Sequence, residues 1–340
     1  MAKKKDIRFK IFDIFSKNLE IVKNHPSIRF EPDFTDGYLC PICFDPYFKS
    51  DLDFSSPNCL TLEDVPPKSL GGNPKLLTCK NCNSICGYEL DKNLFKRLEE
   101  IDARELLPTS YKTTFFSNGS EMNGIVNIDK EGHWTLKLKN EWSNPKKAEQ
   151  FMKEVFPPRT IYNPFFYPEK RFESYKTNNF SIKFPSGSIE RKAEIALLKT
   201  AYLLAFSKFG YSFLINGALY RVREQILNPD KDILPKVFGI NYVFPEDVIG
   251  LNLITEPNEL RCYLIIFDLK TKGKKRQFAV ALPGLTKPGI KIYENIEKLL
   301  CVNSGGFTNM KLEHINDFDF VKDPESIWGA HWFWQKFCHD

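Results

Sequence analysis

Residues 60–83 read LTLEDVPPKSLGGNPKLLTCKNCN, and this stretch decides how the N-terminal third of the chain is read. Gly71-Gly72 predicts the turn that joins two short strands, because glycine adopts positive φ at little steric cost. Cys79-Lys-Asn-Cys82 then leads into a helix that bears Asn83. Leu90, Leu94, Phe95, Leu98 and Ile101 continue that helix on one face, and Leu107-Pro108 closes it.

Upstream, Cys40-Pro-Ile-Cys43 supplies a second C-x-x-C knuckle. Each knuckle presents two thiolates to one ion, so Cys40, Cys43, Cys79 and Cys82 predict a closed tetrahedral zinc site. A thioredoxin-like redox motif needs only one such pair, after a strand in a βαβ unit, and two pairs argue against it. Cys86 reads as a buried thiol or a spare ligand. Cys59, Cys262, Cys301 and Cys338 have no assignable partner.

The order of these features resembles the HNH (ββα-metal) nuclease family. There an acidic residue and a histidine precede a hydrophobic-proline step, a Gly-rich turn follows, and a cysteine pair leads into an Asn-bearing helix. The resemblance covers about 60 residues, with TAYLLAFSKFGYSF and VREQIL in residues 200–227 similar to the accessory region of bacterial HNH proteins. It implies a metal-dependent DNA endonuclease, with a role in restriction or anti-phage defence, and a Mg2+ or Mn2+ ion beside the zinc. Glu63 and Asn83 match the ligands of that ion, and Asp64 stands where the family places its general base. Asp91, about two helical turns past Asn83, is a further candidate ligand, set against a capping or surface role.

Asp64 departs from the family, whose base is histidine. Imidazole titrates near about 6.5 and suits proton abstraction at neutrality, whereas free aspartate titrates near about 3.9. Three readings stay open. Asp64 serves as base or extra ligand; the base is one of His25, His133, His314, His331 and His339; or cleavage is lost and a zinc-containing nucleic-acid-binding or regulatory protein remains. A zinc-stapled protein–protein adaptor is a third class of function.

The rest of the chain predicts an α+β protein in four consecutive segments: a helical lead-in at 1–35, the ββα-metal module at 36–108, a β-rich segment and Pro/aromatic connector at 109–187, and an α+β accessory domain at 188–340. Ile11, Ile14, Phe15, Leu19 and Val22 carry the first helix. YKTTFF, GIVNID and HWTLKLK alternate as strands. Ser188 is the expected N-cap of a helix running to Lys208. LRCYLIIFDLK and RQFAVALP form a hairpin whose basic tip includes Lys274, Lys275 and Arg276. Those three residues, with Lys68 and Lys75, are candidate phosphate contacts, weighed against simple solubility. Trp328, Trp332 and Trp334 read as aromatic packing of a terminal helix.

The net charge of +5 permits nucleic acid without requiring it. Thirty Phe and thirteen Tyr exclude a disordered chain, which would lack apolar surface to offset its conformational entropy. The N-terminus has no signal-peptide core, and Lys199 and Lys208 interrupt the most apolar stretch, so a soluble cytoplasmic protein with no membrane contact is expected. DNA is the expected partner, a homodimer would suit double-strand cleavage, and the C-terminal region would receive a protein or small-molecule activator.

Overall fold

The computed structural model describes residues 2–26, 28–31, 33–117, 119–138, 145–155, 180–184, 186–214, 217, 219–235, 239–284, 291–301, 310–315, 320–323 and 325–326. Helix α1 (Ala2–Lys23) buries Phe12, Phe15, Leu19 and Val22, which recur every three or four residues along one face. A two-residue pair, β1 (Tyr38–Leu39) with β2 (Pro46–Tyr47), carries the first knuckle between its strands. The antiparallel hairpin β3 (Leu60–Val65) and β4 (Asn73–Cys79) follows. It runs straight into α2 (Lys80–Cys86), a π turn at Gly87–Asp91, and α3 (Lys92–Arg104). The motif stretch therefore folds as strand, strand, helix.

Long-range contacts divide the chain differently from the four consecutive segments. One compact unit joins residues 1–97 to 188–271 and 275–340; the other comprises 98–187 with 272–274. The reason lies in α5 (Glu190–Phe209), whose side chains are buried on nearly every side. A helix apolar all round is stable only as a core element. This is the apolar stretch that fell short of a membrane span, and no helix among the described residues is long and apolar enough to cross one. The hydroxyl of Tyr202 donates to the Pro41 carbonyl at 2.6 Å. After α5, Tyr211 at the start of α6 (Tyr211–Leu214) donates to Leu39 O at 2.8 Å and accepts from Leu39 N at 2.9 Å. Two buried tyrosines thus brace the first knuckle from a segment more than 160 positions away.

On its other side α5 meets a five-stranded antiparallel sheet, where the Phe209 ring packs tilted against Tyr263 and the following Phe213 meets it edge-on. The sheet contains β9 (Gly239–Asn241), β10 (Gly250–Glu256), β11 (Cys262–Lys270), β12 (Lys275–Pro283) and β13 (Lys311–His314), in the order β13-β10-β11-β12-β9. The expected hairpin is β11–β12, closing with Lys270 opposite Lys275. The N-cap of α5 lies one residue later than the expected Ser188. Ile189 occupies the N-cap without a side-chain bond, and its own N–H donates to Asn93 Oδ1 at 3.0 Å.

The second unit is a four-stranded antiparallel sheet in the order β7-β6-β5-β8, formed by β5 (Ser110–Ser117), β6 (Ser120–Ile128), β7 (Trp134–Leu138) and β8 (Phe180–Lys183). Helix α4 (Pro145–Val155) sets Ala148 and Phe151 against Tyr111, Phe115, Met122 and Val126. The stretch expected as a Pro/aromatic connector thus contributes α4 and β8. Residues 139–144, 156–179 and 185, with Trp328, His331, Trp332, Trp334, Cys338 and His339, lie outside the described residues.

The hairpin turn tests the packing directly. A Cβ on Gly72 would fall 1.5 Å from the backbone oxygen of Pro66, whereas one on Gly71 (φ 91°) meets only Lys270 Cβ at 3.2 Å. Gly72→Ala is expected to lower stability by at least about 1–3 kcal/mol, because backbone rather than a flexible side chain must yield. Urea denaturation of the two alanine variants checks this, and an unchanged midpoint for Gly72→Ala would contradict the turn geometry.

Candidate metal centre

The four cysteines arrive at one point from two turns. Cys40 and Cys43 flank a tight reversal in which Phe44 N donates to Cys40 O at 2.9 Å and Phe44 takes φ 69°, an unusual conformation for a non-glycine residue. Cys79 is the last residue of β4 and also the N-cap of α2, its sulfur accepting from Cys82 N at 3.4 Å. Cys79 N in turn donates to Cys40 Sγ at 3.5 Å. All four sulfurs lie within 4.8 Å of one another, with Cys43 Sγ and Cys79 Sγ 3.9 Å apart. A tetrahedral zinc with Zn–S bonds of about 2.3 Å requires S···S separations of about 3.8 Å, so the cage fits the ion.

The acid–base chemistry of the cage points the same way. Hydrogen bonds from Cys40, Cys43 and Cys82 drive Cys79 far toward thiolate, while hydrogen bonding to Cys40 and Cys79 holds the Cys43 thiol, and to Cys40, Cys43 and Cys79 the Cys82 thiol, well above the ordinary value. Four clustered thiols cannot all ionise without a cation among them. Cys86 stands outside this group: burial pushes it up to about 12, and it remains a thiol. One zinc per chain is therefore expected by elemental analysis. Cys40→Ser should lose the metal and unfold the module, whereas Cys86→Ser should retain it; a well-folded, metal-free Cys40→Ser protein would overturn the assignment.

The polar residues of the hairpin converge on a partner that the motif did not indicate. Glu63 is 3% exposed, with Oε1 2.8 Å from Lys199 Nζ and Oε2 accepting from Thr78 Oγ1 at 2.9 Å. Asp91, in the π turn, meets the same ammonium at 2.7 Å through Oδ2, and its buried Oδ1 has no hydrogen-bond partner among the described residues. Lys199 comes from the middle of α5. Burial opposes its charge, but the carboxylates of Glu63 and Asp91 outweigh that effect and hold its pKa above the ordinary lysine value. Burial raises the Asp91 carboxyl against the pull of Lys199. The sequence signal for this triad was a lone lysine inside ALLKTAYLLAF, since lysine is rarely fully buried unless paired.

Asn83 ties helix to strand: its Nδ2 donates to Thr61 Oγ1 at 2.9 Å and Leu62 O at 3.1 Å. Between Glu63 and Asp64 the β3–β4 register shifts, Glu63 facing Leu76 and Asp64 facing Pro74. A bulge of this kind re-aims the side chains on either side of it, and Asp64 is half-buried where Glu63 is enclosed. His133 pairs with Asp129 in the second unit, and His314 bonds Asn252 Oδ1 at 2.8 Å. Among the candidate phosphate contacts, Lys68 and Lys75 are exposed, Lys274 pairs with Glu105 and Lys275 with Asp268. Arg276 is only 5% exposed, so it presents no surface to a phosphate.

No family model, no curated protein and no solved structure matches this chain.

Removing the Lys199 ammonium would strand two buried carboxylates. Lys199→Met is expected to cost about 3–5 kcal/mol. Because the folded pKa of Lys199 is raised, its contribution is fully present below the unfolded value of about 10.4 and is lost as pH rises above it. The stability gap between wild type and Lys199→Met should therefore narrow in alkaline urea titrations; a gap independent of pH would contradict the ion triad.

Proposed function

We propose that this chain is a zinc-stapled nucleic-acid-binding protein, built on an HNH-like ββα module whose cleavage chemistry is impaired. One observation carries the reading: the carboxylate at the family's metal-ligand position, Glu63, is enclosed and neutralised by Lys199 and Thr78. A hard divalent cation needs several oxygen ligands. Displacing a buried ammonium shared by two carboxylates would cost several kcal/mol before any such ligand became free. With Glu63 and Asp91 committed to Lys199, the donor set of a one-metal nuclease is incomplete. The aspartate at position 64 adds a second departure, since a carboxylate is a weak base near neutrality. The resemblance of residues 36–98 to the nuclease module supplies the ligand class, DNA.

A second reading, metal-dependent DNA endonuclease, is favoured by the placement of Asp64 across the bulge and of Asn83 at the strand-facing start of α2. In that case Asp64 and Asn83, with Glu63 released from Lys199, would hold Mg2+ or Mn2+, which supplies charge neutralisation at the scissile phosphate.

Supercoiled plasmid separates the two. Incubation with Mg2+ or Mn2+ is expected to leave the plasmid intact, while labelled DNA is bound with an affinity that falls as salt rises. Nicking that disappears in Asp64→Ala would establish the endonuclease instead. Absence of both binding and nicking would leave the adaptor class.

A further inference from the structure

The helical run 80–97 carries two acids, Glu89 and Asp91, and both are paired on the side that packs against α5: Glu89 with Lys192, Asp91 with Lys199. The opposite face keeps none. Lys80, Ser84, Tyr88 and Lys92 recur there at four-residue intervals and are all exposed. Among the described residues neither Lys80 nor Lys92 forms an ion pair. Tyr88 is 65% exposed and Ile85 45%, beside the zinc knuckle rather than in the core. The Lys92 ammonium stands 4.4 Å from the centre of the Tyr88 ring.

A solvated helix face ordinarily carries charges of both signs and few aromatic rings. This one combines lysines, a hydroxyl and an open aromatic ring, with its acids withdrawn to the far side. Positive side chains that follow a phosphate backbone, with a ring on which a base stacks, are the elements of single-strand recognition. Duplex DNA would use the lysines and leave the ring idle, because its bases are already stacked. The geometry points to the Lys80–Ser84–Tyr88–Lys92 face as a binding surface for single-stranded DNA, with Tyr88 stacking an unpaired base and Lys80 and Lys92 meeting phosphates. This rests on the nucleic-acid reading above and goes beyond it in naming the surface and the strand state.

Fluorescence anisotropy with a labelled 12-nucleotide oligo-dT and with a duplex of equal length tests the assignment on the full chain. Wild type should bind oligo-dT more tightly than the duplex. Tyr88→Ala should weaken oligo-dT binding about 5-fold or more, with Tyr88→Phe restoring it, since the ring and not the hydroxyl stacks. Lys80→Gln with Lys92→Gln should reduce the slope of log K against log salt by about 1.4, from about 0.7 per phosphate contact on a single strand. All variants lie on the surface and should retain one zinc, which verifies their folding. Wild-type binding unchanged by these substitutions overturns the surface and leaves the nucleic-acid reading standing. No binding of either DNA by wild type overturns that reading, and the surface with it. Tighter binding to the duplex, or to a 12-nucleotide oligo-rU, overturns the assignment to single-stranded DNA.

Discussion

Four thiols held within 4.8 Å of one another impose the constraint on which the N-terminal half depends. Apart from a cation, such a cage is a conflict: its members cannot ionise together, and partial ionisation places charge in a buried site. A divalent ion that prefers four sulfurs would turn the conflict into a clamp, with an effect that reaches past its ligands. Cys79 ends β4 and caps α2, so fixing its sulfur also fixes the angle at which the helix leaves the hairpin. Asn83, one position after Cys82, can then tie that helix to β3.

The second constraint is the single ammonium of Lys199, which three separate segments share: β3 through Glu63, the π turn through Asp91, and α5 itself. A buried charge network of this kind adds little net stability compared with well-packed apolar residues, but it penalises any arrangement that leaves one member unpaired. It therefore specifies how α5 seats against the hairpin. The π turn widens the helix where Asp91 enters, a local irregularity often found at functional positions. The same interaction bears on chemistry, since the carboxylate that would serve a hard cation serves a lysine.

Legibility in the sequence followed the range of the interactions. The four-cysteine cluster was readable because each knuckle is a local motif and only the pairing of two knuckles is long-range. The hairpin-then-helix order of 60–104 was readable from Gly71-Gly72, the cysteine pair and the Leu90–Leu94–Leu98 spacing. The basic tip of the β11–β12 hairpin was readable as a turn, but not the burial of Arg276 within it. The partner of Glu63 was hidden because Lys199 lies 136 positions further along and no spacing rule links them. Segment boundaries drawn from composition placed α5 in a separate accessory segment, whereas long-range contacts put it in one compact unit with the four-cysteine cluster.

The sequence by itself determined the α+β class, the four clustered cysteines and the strand–strand–helix order around them, each of which depends on periodicity, turn chemistry or ligand spacing within a few tens of residues. Glu63, Asp64 and Asn83 were candidates through the resemblance to the HNH nucleases. Only the tertiary structure decided what state those residues are in: Glu63 enclosed and neutralised, Asp64 half-buried across a bulge, Asn83 engaged as a donor. Burial and charge pairing are set by whatever the folded chain brings alongside, and the decisive neighbour came from a helix more than a hundred residues away.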